Sequence, residues 1–141
     1  MNKYKNKKIT VDGIQFDSQL EAHHYQHLLE LQKQGVVKSF EMQVPFTLLE
    51  GYTLNGRKVR PIKLILDFVV HYSDGTIRYE DSKGLVKPTD IIKKKMFESK
   101  YKKELVFMGR SIIDGGILPH DEIQKARKQR KLNKIKNIDK K

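Results

Sequence analysis

The chain has 141 residues, no cysteine and a formal net charge of +12, with a sequence pI near 9.8. These values exclude a disulfide framework and a thiolate metal site, and no run approaches the roughly 20 apolar residues of a membrane span. The length predicts one domain, and the excess of Lys and Arg favours a polyanionic partner, nucleic acid rather than an anionic membrane surface. No hydrophobic segment follows the basic N-terminus, so we expect a soluble cytoplasmic protein.

The N-terminal segment combines a basic stretch with a tight turn. Residues 1–7 predict a flexible basic arm. The Asp12-Gly13 pair lies between apolar positions within residues 8–16. This pairing favours a two-residue hairpin turn, so we expect two short strands here.

A first helix is predicted directly after this hairpin. Ser18 is a suitable N-cap, and Glu21 three residues later completes a capping box. The helix is expected to run to about Gln34, where Gly35 ends it.

The middle of the chain alternates between apolar and polar residues in the manner of β-strands. Residues 36–49 predict one or two strands interrupted at Pro45, and residues 51–60 predict a polar loop with an Asn-Gly turn. Residues 62–72 and 76–82 then predict a long hairpin.

The last part of the chain predicts a second helix, a strand and a basic tail. Thr89 is placed to cap a helix over residues 90–103, and residues 104–108 form a short apolar strand. Residues 112–119 are rich in turn formers. The order of elements predicts an α/β or α+β fold, in which helices flank a mixed sheet.

The charge is unevenly distributed between these parts. Residues 121–141 carry nine Lys or Arg against three acids, which is +6 of the total, and show no clear apolar face. We therefore expect one domain over residues 1–120, followed by a tail that is a frayed helix or disordered.

Two turn geometries are possible for the long hairpin, and they differ in what they bring together. A two-residue turn would point Asp81 to the face opposite Asp67, because shifting a register by one residue reverses every side chain. A three-residue turn over residues 73–75, with Gly75 left-handed, places Asp67 directly across from Asp81. Lys83 then lies two residues along the same face. We predict this second register because the chemistry below requires it.

An aspartate within an apolar strand is costly unless a cation compensates it. Asp67 stands in such a strand, and Asp81 with Lys83 follows across the turn. Two carboxylates and water suit Mg²⁺ or Mn²⁺, and a lysine can orient water or stabilise the charge of a phosphoryl transition state. We predict Asp67 and Asp81 as metal ligands, Lys83 as a catalytic residue, and Glu21 as a third acid that reaches the metal directly or through water.

Each residue also has an ordinary structural explanation. Asp81 and Lys83 alone are compatible with a solvated strand end, and Asp67 with an ion pair to a nearby basic side chain. Glu21 alone is explained by its place in the capping box. The nuclease interpretation rests on the four residues occurring together in this order.

Three segments resemble the motifs of the PD-(D/E)XK nuclease superfamily, and more closely those of a family of short phage proteins within it. The segments are Phe16-Asp17-Ser18-Gln19-Leu20-Glu21-Ala22, Leu66-Asp67-Phe68 and Tyr79-Glu80-Asp81-Ser82-Lys83-Gly84. The resemblance covers roughly residues 5–110. Size and motif order are also similar to phage endonuclease I, a dimeric resolvase of four-way junctions.

The resemblance implies a restriction-endonuclease-like core that cuts DNA with Mg²⁺ or Mn²⁺. It assigns Glu21 to the first motif, Asp67 to the second, and Asp81 with Lys83 to the third. Leu66 stands where the proline of the motif name would be, at a position that varies widely in the superfamily.

Five further basic residues are predicted to contact DNA. Lys93 and Lys94 follow the motifs on the second helix, and at most two of its three consecutive lysines can share one face. Arg57, Lys58 and Arg60 precede the strand of Asp67 and could contact backbone phosphates. The alternative for the lysines is a solvated helix face.

The first helix contains three histidines, and His23 and His27 have the spacing of a metal pair. Because no third ligand is evident, we do not predict a zinc site. We expect instead that one histidine faces the active site from the helix of Glu21. Glu80 is expected to point away from Asp81 and to be structural or paired.

The residues and the resemblance together predict a Mg²⁺- or Mn²⁺-dependent DNA endonuclease that acts on branched DNA. The resemblance implies a phage or prophage origin, hence the host cytoplasm, and a possible homodimer. No Walker motif is present, so no nucleotide cofactor is expected. The alternatives are a non-catalytic DNA-binding or recombination accessory protein with a nuclease fold, and an RNA nuclease.

Overall fold

Residues 8–139 are described by the computed structural model, so the basic arm predicted over residues 1–7 lies outside the described part. Nine strands and three helices follow one another, with a 3₁₀ turn between the last two strands. They are β1 (Ile9–Val11), β2 (Ile14–Phe16), α1 (Gln19–Lys33), β3 (Val37–Leu49), β4 (Tyr52–Leu54), β5 (Arg57–Val59), β6 (Ile62–Tyr72), β7 (Ile77–Ser82), α2 (Pro88–Tyr101), β8 (Leu105–Ser111), the 3₁₀ turn (Ile112–Asp114), β9 (Gly116–Pro119) and α3 (His120–Asp139).

A five-stranded mixed sheet of order β3-β6-β7-β8-β9 is the centre of the fold. Strands β7 and β8 are parallel, with α2 as the crossover between them, and the other neighbours are antiparallel. One apolar cluster packs α1 on this sheet, and a second packs α2 through Phe97. The predicted α+β fold with a mixed sheet flanked by helices is confirmed. No helix among the described residues is long and apolar enough to cross a membrane.

Helix α1 begins and ends as its sequence predicts. The Oγ of Ser18 accepts a hydrogen bond from the backbone N–H of Glu21 at 3.1 Å. The return bond of the capping box is displaced by one residue, since the Glu21 carboxylate accepts from the N–H of Asp17 at 3.3 Å. At the other end Gly35 adopts a left-handed φ of 81°, which only glycine tolerates readily.

Strand β3 is continuous through Pro45, contrary to the predicted interruption. Because β3 lies at the end of the sheet order, a residue without an N–H can be accommodated there. The strand contains a different irregularity, since Gln43 has a φ of 54°. This left-handed position faces the candidate site described below.

The segment predicted as a polar loop is a two-stranded hairpin, β4–β5. Asn55 and Gly56 have φ values of 50° and 76°, as a type I′ turn requires. The predicted Asn-Gly turn is therefore confirmed, and so is the Asp12-Gly13 hairpin, where β1 pairs with β2.

Helix α2 starts at Pro88, so the prediction of Thr89 as its cap is wrong. Lys87 is the N-cap residue, and its N–H donates to the carboxylate of Asp90 at 2.8 Å. Proline is favoured at the first helical position because it lacks only an N–H that the helix would leave unpaired.

The described part of the basic tail is helical, as α3. Its first turns pack on the sheet: Ile123 is buried, and β8 carries Gly109 at the contact, where a Cβ would come within 3.0 Å of the Ile123 Cδ1 atom. Farther along, the apolar side chains of Leu132, Ile135 and Ile138 are exposed. Tertiary contact at its start explains why a segment with little apolar periodicity is helical there.

Candidate active site

The β6–β7 hairpin has the three-residue turn that the sequence analysis favoured. Phe68 pairs with Glu80, and the register continues to the turn, where the N–H of Tyr72 donates to the carbonyl of Thr76 at 2.8 Å. Gly75 is left-handed, with a φ of 93°. The same register places Asp67 opposite Asp81, so this prediction is confirmed.

Backbone hydrogen bonds hold the two aspartates against each other. The N–H of Asp67 donates to Oδ1 of Asp81 at 3.3 Å, and the N–H of Ser82 donates to Oδ2 of Asp67 at 2.9 Å. Asp81 is only 4% exposed. The carboxylates therefore have fixed positions where the pairing of β6 with β7 ends, Asp67 in the middle of β6 and Asp81 near the end of β7.

The charge of Asp67 is strongly disfavoured in the protein alone. Burial, together with the neighbouring carboxyl groups of Glu21 and Asp81, raises the pKa of Asp67 to about 10. Among the described residues no group of three or more His, Asp or Glu side chains has the arrangement of a metal cluster. The set of three metal ligands, Glu21, Asp67 and Asp81, therefore stays a prediction.

Lys83 is held between two carboxylates. Its Nζ lies 3.5 Å from Oδ2 of Asp81 and 3.4 Å from Oδ1 of Asp90. Burial alone would lower the pKa of Lys83, but these two carboxylates outweigh it and raise the pKa above its ordinary value. The ammonium group is therefore charged beside Asp81. Asp90, on the first turn of α2, was not among the predicted site residues.

Glu21 is joined to Asp67 through Gln43, a residue that was not predicted for the site. The side-chain Nε2 of Gln43 donates to Oε1 of Glu21 at 3.0 Å and to Oδ1 of Asp67 at 3.3 Å. The left-handed backbone of Gln43 directs its amide to this point. Such a conformation costs energy for a non-glycine residue and is often found at functional sites. No sequence pattern marks it, since a polar residue on an edge strand is ordinary.

A cleft of about 340 Å³ opens over these groups, and its lining includes Asp67, Asp81 and Lys83. The predicted contact residues Lys93 and Lys94 also line it. Lys94 is paired with Glu98 at 2.6 Å.

Not every basic residue near the cleft was predicted. Lys63 of β6 lines the cleft and was not among the predicted contacts. Arg57, Lys58 and Arg60 are exposed in and after β5 and do not line it. The structure thus brings the two predicted helix lysines to the site but not these three residues.

The histidines do not contribute to the cleft over the carboxylates. His24 is fully buried and bonds Glu80 and Ser82 at 2.8 Å each, so the expectation of a histidine facing the active site is not met by this residue. Burial and the charge of His24 lower the pKa of His27, although Glu80 acts in the opposite direction. The expectation that Glu80 is paired is confirmed.

The fold and the site together define an α+β protein with an acid–lysine cluster where the antiparallel pairing of β6 and β7 ends. The chain belongs to the family described as Protein of unknown function (DUF1064), which it matches over residues 1–113. A comparison with curated proteins and one with solved structures each found no match. All four predicted catalytic residues lie within the matched range.

Proposed function

We propose that this protein is a metal-dependent nuclease that hydrolyses phosphodiester bonds in DNA. The observation that supports this most is the register of β6 and β7, which sets Asp67 against Asp81. Lys83 directly follows β7, and its Nζ lies 3.5 Å from Oδ2 of Asp81. Two adjacent carboxylates, of which Asp81 is buried and Asp67 is half-buried, are unfavourable unless protons or cations compensate them. We therefore include a bound metal cation in the proposal.

The donor set suits a divalent cation. Mg²⁺ needs only one or two protein carboxylates and keeps several waters, so Asp67 and Asp81 suffice and Glu21 could act through water. Burial and the neighbouring carboxyl groups of Asp81 and Glu21 raise the pKa of Asp67, and a bound dication would offset this cost of ionisation. Such an ion, Mg²⁺ or Mn²⁺, would polarise the phosphoryl oxygen and lower the pKa of a bound water.

Lys83 acts in this proposal as a fixed positive charge. Its raised pKa keeps it protonated near neutral pH, so it is suited to stabilise negative charge on the phosphoryl group rather than to abstract a proton. Asp81 and Asp90 hold the ammonium group in place. Lys63, Lys93 and Lys94 along the cleft would contact neighbouring phosphates.

The superfamily, the origin and the DNA substrate are proposed from the motif resemblance and from the charge of the protein. We propose a member of the PD-(D/E)XK superfamily, of phage or prophage origin, that acts as a homodimer on branched DNA. A protein of net charge +12 without a sequence-reading motif is expected to recognise backbone and shape. The host cytoplasm is the proposed place of action.

The test is cleavage of a labelled four-way junction and a matched linear duplex, with Mg²⁺, Mn²⁺ or EDTA. Asp81→Ala is the inactive variant, and Glu30→Gln, an exposed acid on α1, is the control for removing a charge. Metal-dependent cutting of the junction alone, lost only in Asp81→Ala, supports the full proposal.

The other outcomes separate the alternatives. Equal cutting of both DNAs retains the site but removes junction selectivity, and cutting of a matched RNA alone favours an RNA nuclease. Binding without cutting under every metal would leave the accessory DNA-binding protein.

A further inference from the structure

A second cleft, of about 470 Å³, lies between α1, β8 and α3, and it shares Lys83 with the active-site cleft. Besides Lys83, the basic side chains on its walls are those of His23, Arg110, His120 and Arg127. Among the residues that the structure describes, no Asp or Glu lines it. A concave surface with basic side chains and no carboxylate is complementary to an anion.

The wall that α3 contributes is attached firmly to Lys83. The Nε2–H of His120 donates to the carbonyl of Lys83, while the N–H of Lys83 donates to the carbonyl of Met108 at 2.9 Å. Gly109 allows this approach, because a Cβ there would come within 3.2 Å of the His120 Nε2 atom. The cleft therefore has a fixed position relative to the lysine of the active site.

The two arginines of the cleft keep their charge available for a ligand. In the part of the chain that the structure describes, no carboxylate lies within ion-pair distance of Arg110 or Arg127, although the charge of Arg127 contributes to the lowered pKa of Asp114. Arg130, one turn farther along α3, is by contrast paired with Asp114. Both unpaired arginines are exposed, so a ligand can reach them without displacing a protein partner.

A third cleft, of about 780 Å³, connects these surfaces. It is lined by Ser82, Lys83 and Asp90 near the active site, and by Gly84 and Leu85, which also line the second cleft. A chain of phosphate groups leaving the active site over Lys83 thus has a continuous concave path toward Arg110 and Arg127.

We infer that the second cleft binds phosphate groups of the nucleic-acid strand that is cut at Asp67 and Asp81. Along that strand, these phosphates lie beyond Lys83, on the side away from the two aspartates. This inference rests on the proposed function and adds a binding surface to it. The α3 side of the cleft lies beyond the residues matched by the family, whereas Arg110 lies within them.

The test measures binding of a labelled DNA duplex in EDTA over a series of salt concentrations. Each lost phosphate contact reduces the slope of log K against log salt by about 0.9 on duplex DNA, so Arg110→Ala/Arg127→Ala should reduce it by about 1.8. The control Lys33→Ala/Lys38→Ala removes the same charge at exposed positions near the C-terminal end of α1, whereas Glu21 is at its N-terminal end. This control should leave the slope unchanged.

The charge-conserving variant Arg110→Lys/Arg127→Lys should restore most of the slope. If the alanine double variant binds DNA with the affinity and salt slope of the wild type, and the wild type cuts DNA, this inference is overturned but the proposed function is not. An equal loss of slope in the Lys33/Lys38 control would also overturn it, since the loss would then reflect the net charge of the protein rather than this cleft. A wild type that neither binds nor cuts DNA would overturn the proposed function as well.

Discussion

The imidazole of His24 lies 2.8 Å from the carboxylate of Glu80, and both side chains are almost completely buried. The other imidazole nitrogen is 2.8 Å from the hydroxyl of Ser82. Glu80 and Ser82 are the residues on either side of Asp81 on β7. Because α1 carries both His24 and Glu21, this bond fixes the helix of one predicted acid against the strand of another.

Loss of this bond should cost more stability than loss of a similar pair at the surface. We expect His24→Ala to lower the free energy of unfolding by about 3–5 kcal/mol, since it leaves a buried carboxylate without its main partner. His71→Ala removes a partly exposed pair with Glu41 and should cost about 1 kcal/mol or less. Urea denaturation of the two variants measures these changes in the free energy of unfolding. Equal changes would show that the buried pair stabilises the protein no more than the exposed pair does.

Asp67→Asn should stabilise the metal-free protein while abolishing its response to metal. The pKa of Asp67 is raised to about 10, whereas an unfolded chain releases this proton near pH 3.9. The folded state therefore loses stability as pH rises between these values, and the variant does not. In EDTA the Tm advantage of Asp67→Asn should grow from pH 5 to pH 9.

An aspartate in the turn of the same hairpin provides the opposite control. Hydrogen bonds from Thr76 lower the pKa of Asp74, so Asp74→Asn should not stabilise the protein at any pH in this range. Added Mg²⁺ should raise the Tm of the wild type and of Asp74→Asn but not of Asp67→Asn. A wild type that gains no stability from Mg²⁺ or Mn²⁺ would contradict the metal site.

Gln43→Ala should weaken metal use more than folding. The change removes the amide that joins Glu21 to Asp67, and loss of such a supporting partner reduces metal affinity about 10- to 100-fold. The measurement is the Mg²⁺ concentration for half-maximal cleavage, with Gln129→Ala on the exposed face of α3 as control. An unchanged metal requirement would assign Gln43 a purely structural role.

Lys83→Ala should remove turnover and leave metal binding in place. Loss of one charge-stabilising group typically reduces the rate about 10²- to 10³-fold. Asp90→Asn should have a smaller effect, because Asp81 still holds the ammonium group at 3.5 Å. Single-turnover rates at saturating metal measure both, and Lys95→Ala, on α2 outside the cleft lining, is the control. Equal rates for Lys83→Ala and the wild type would exclude a catalytic role.

Features set by neighbouring residues could be predicted from the sequence. Asp12-Gly13 and Asn55-Gly56 form their turns, Ser18 caps α1, and the turn at Gly75 sets the register of Asp67 and Asp81. Each depends on backbone preferences within a few residues, and these act similarly in any fold. The local sequence allowed two turns in the long hairpin, and the expected chemistry selected the one in which Asp67 meets Asp81.

Features that depend on distant elements were decided only by the tertiary structure. Gln43 lies 22 residues from Glu21 and 24 from Asp67, and Lys83 meets Asp90 across the loop between β7 and α2. Alternation tells which face of a strand a side chain takes, but not which strand or helix will lie beside it. Packing therefore decided three features of the site: the Gln43 amide between Glu21 and Asp67, the pairing of Lys83 with Asp90, and the basic cleft beside α3.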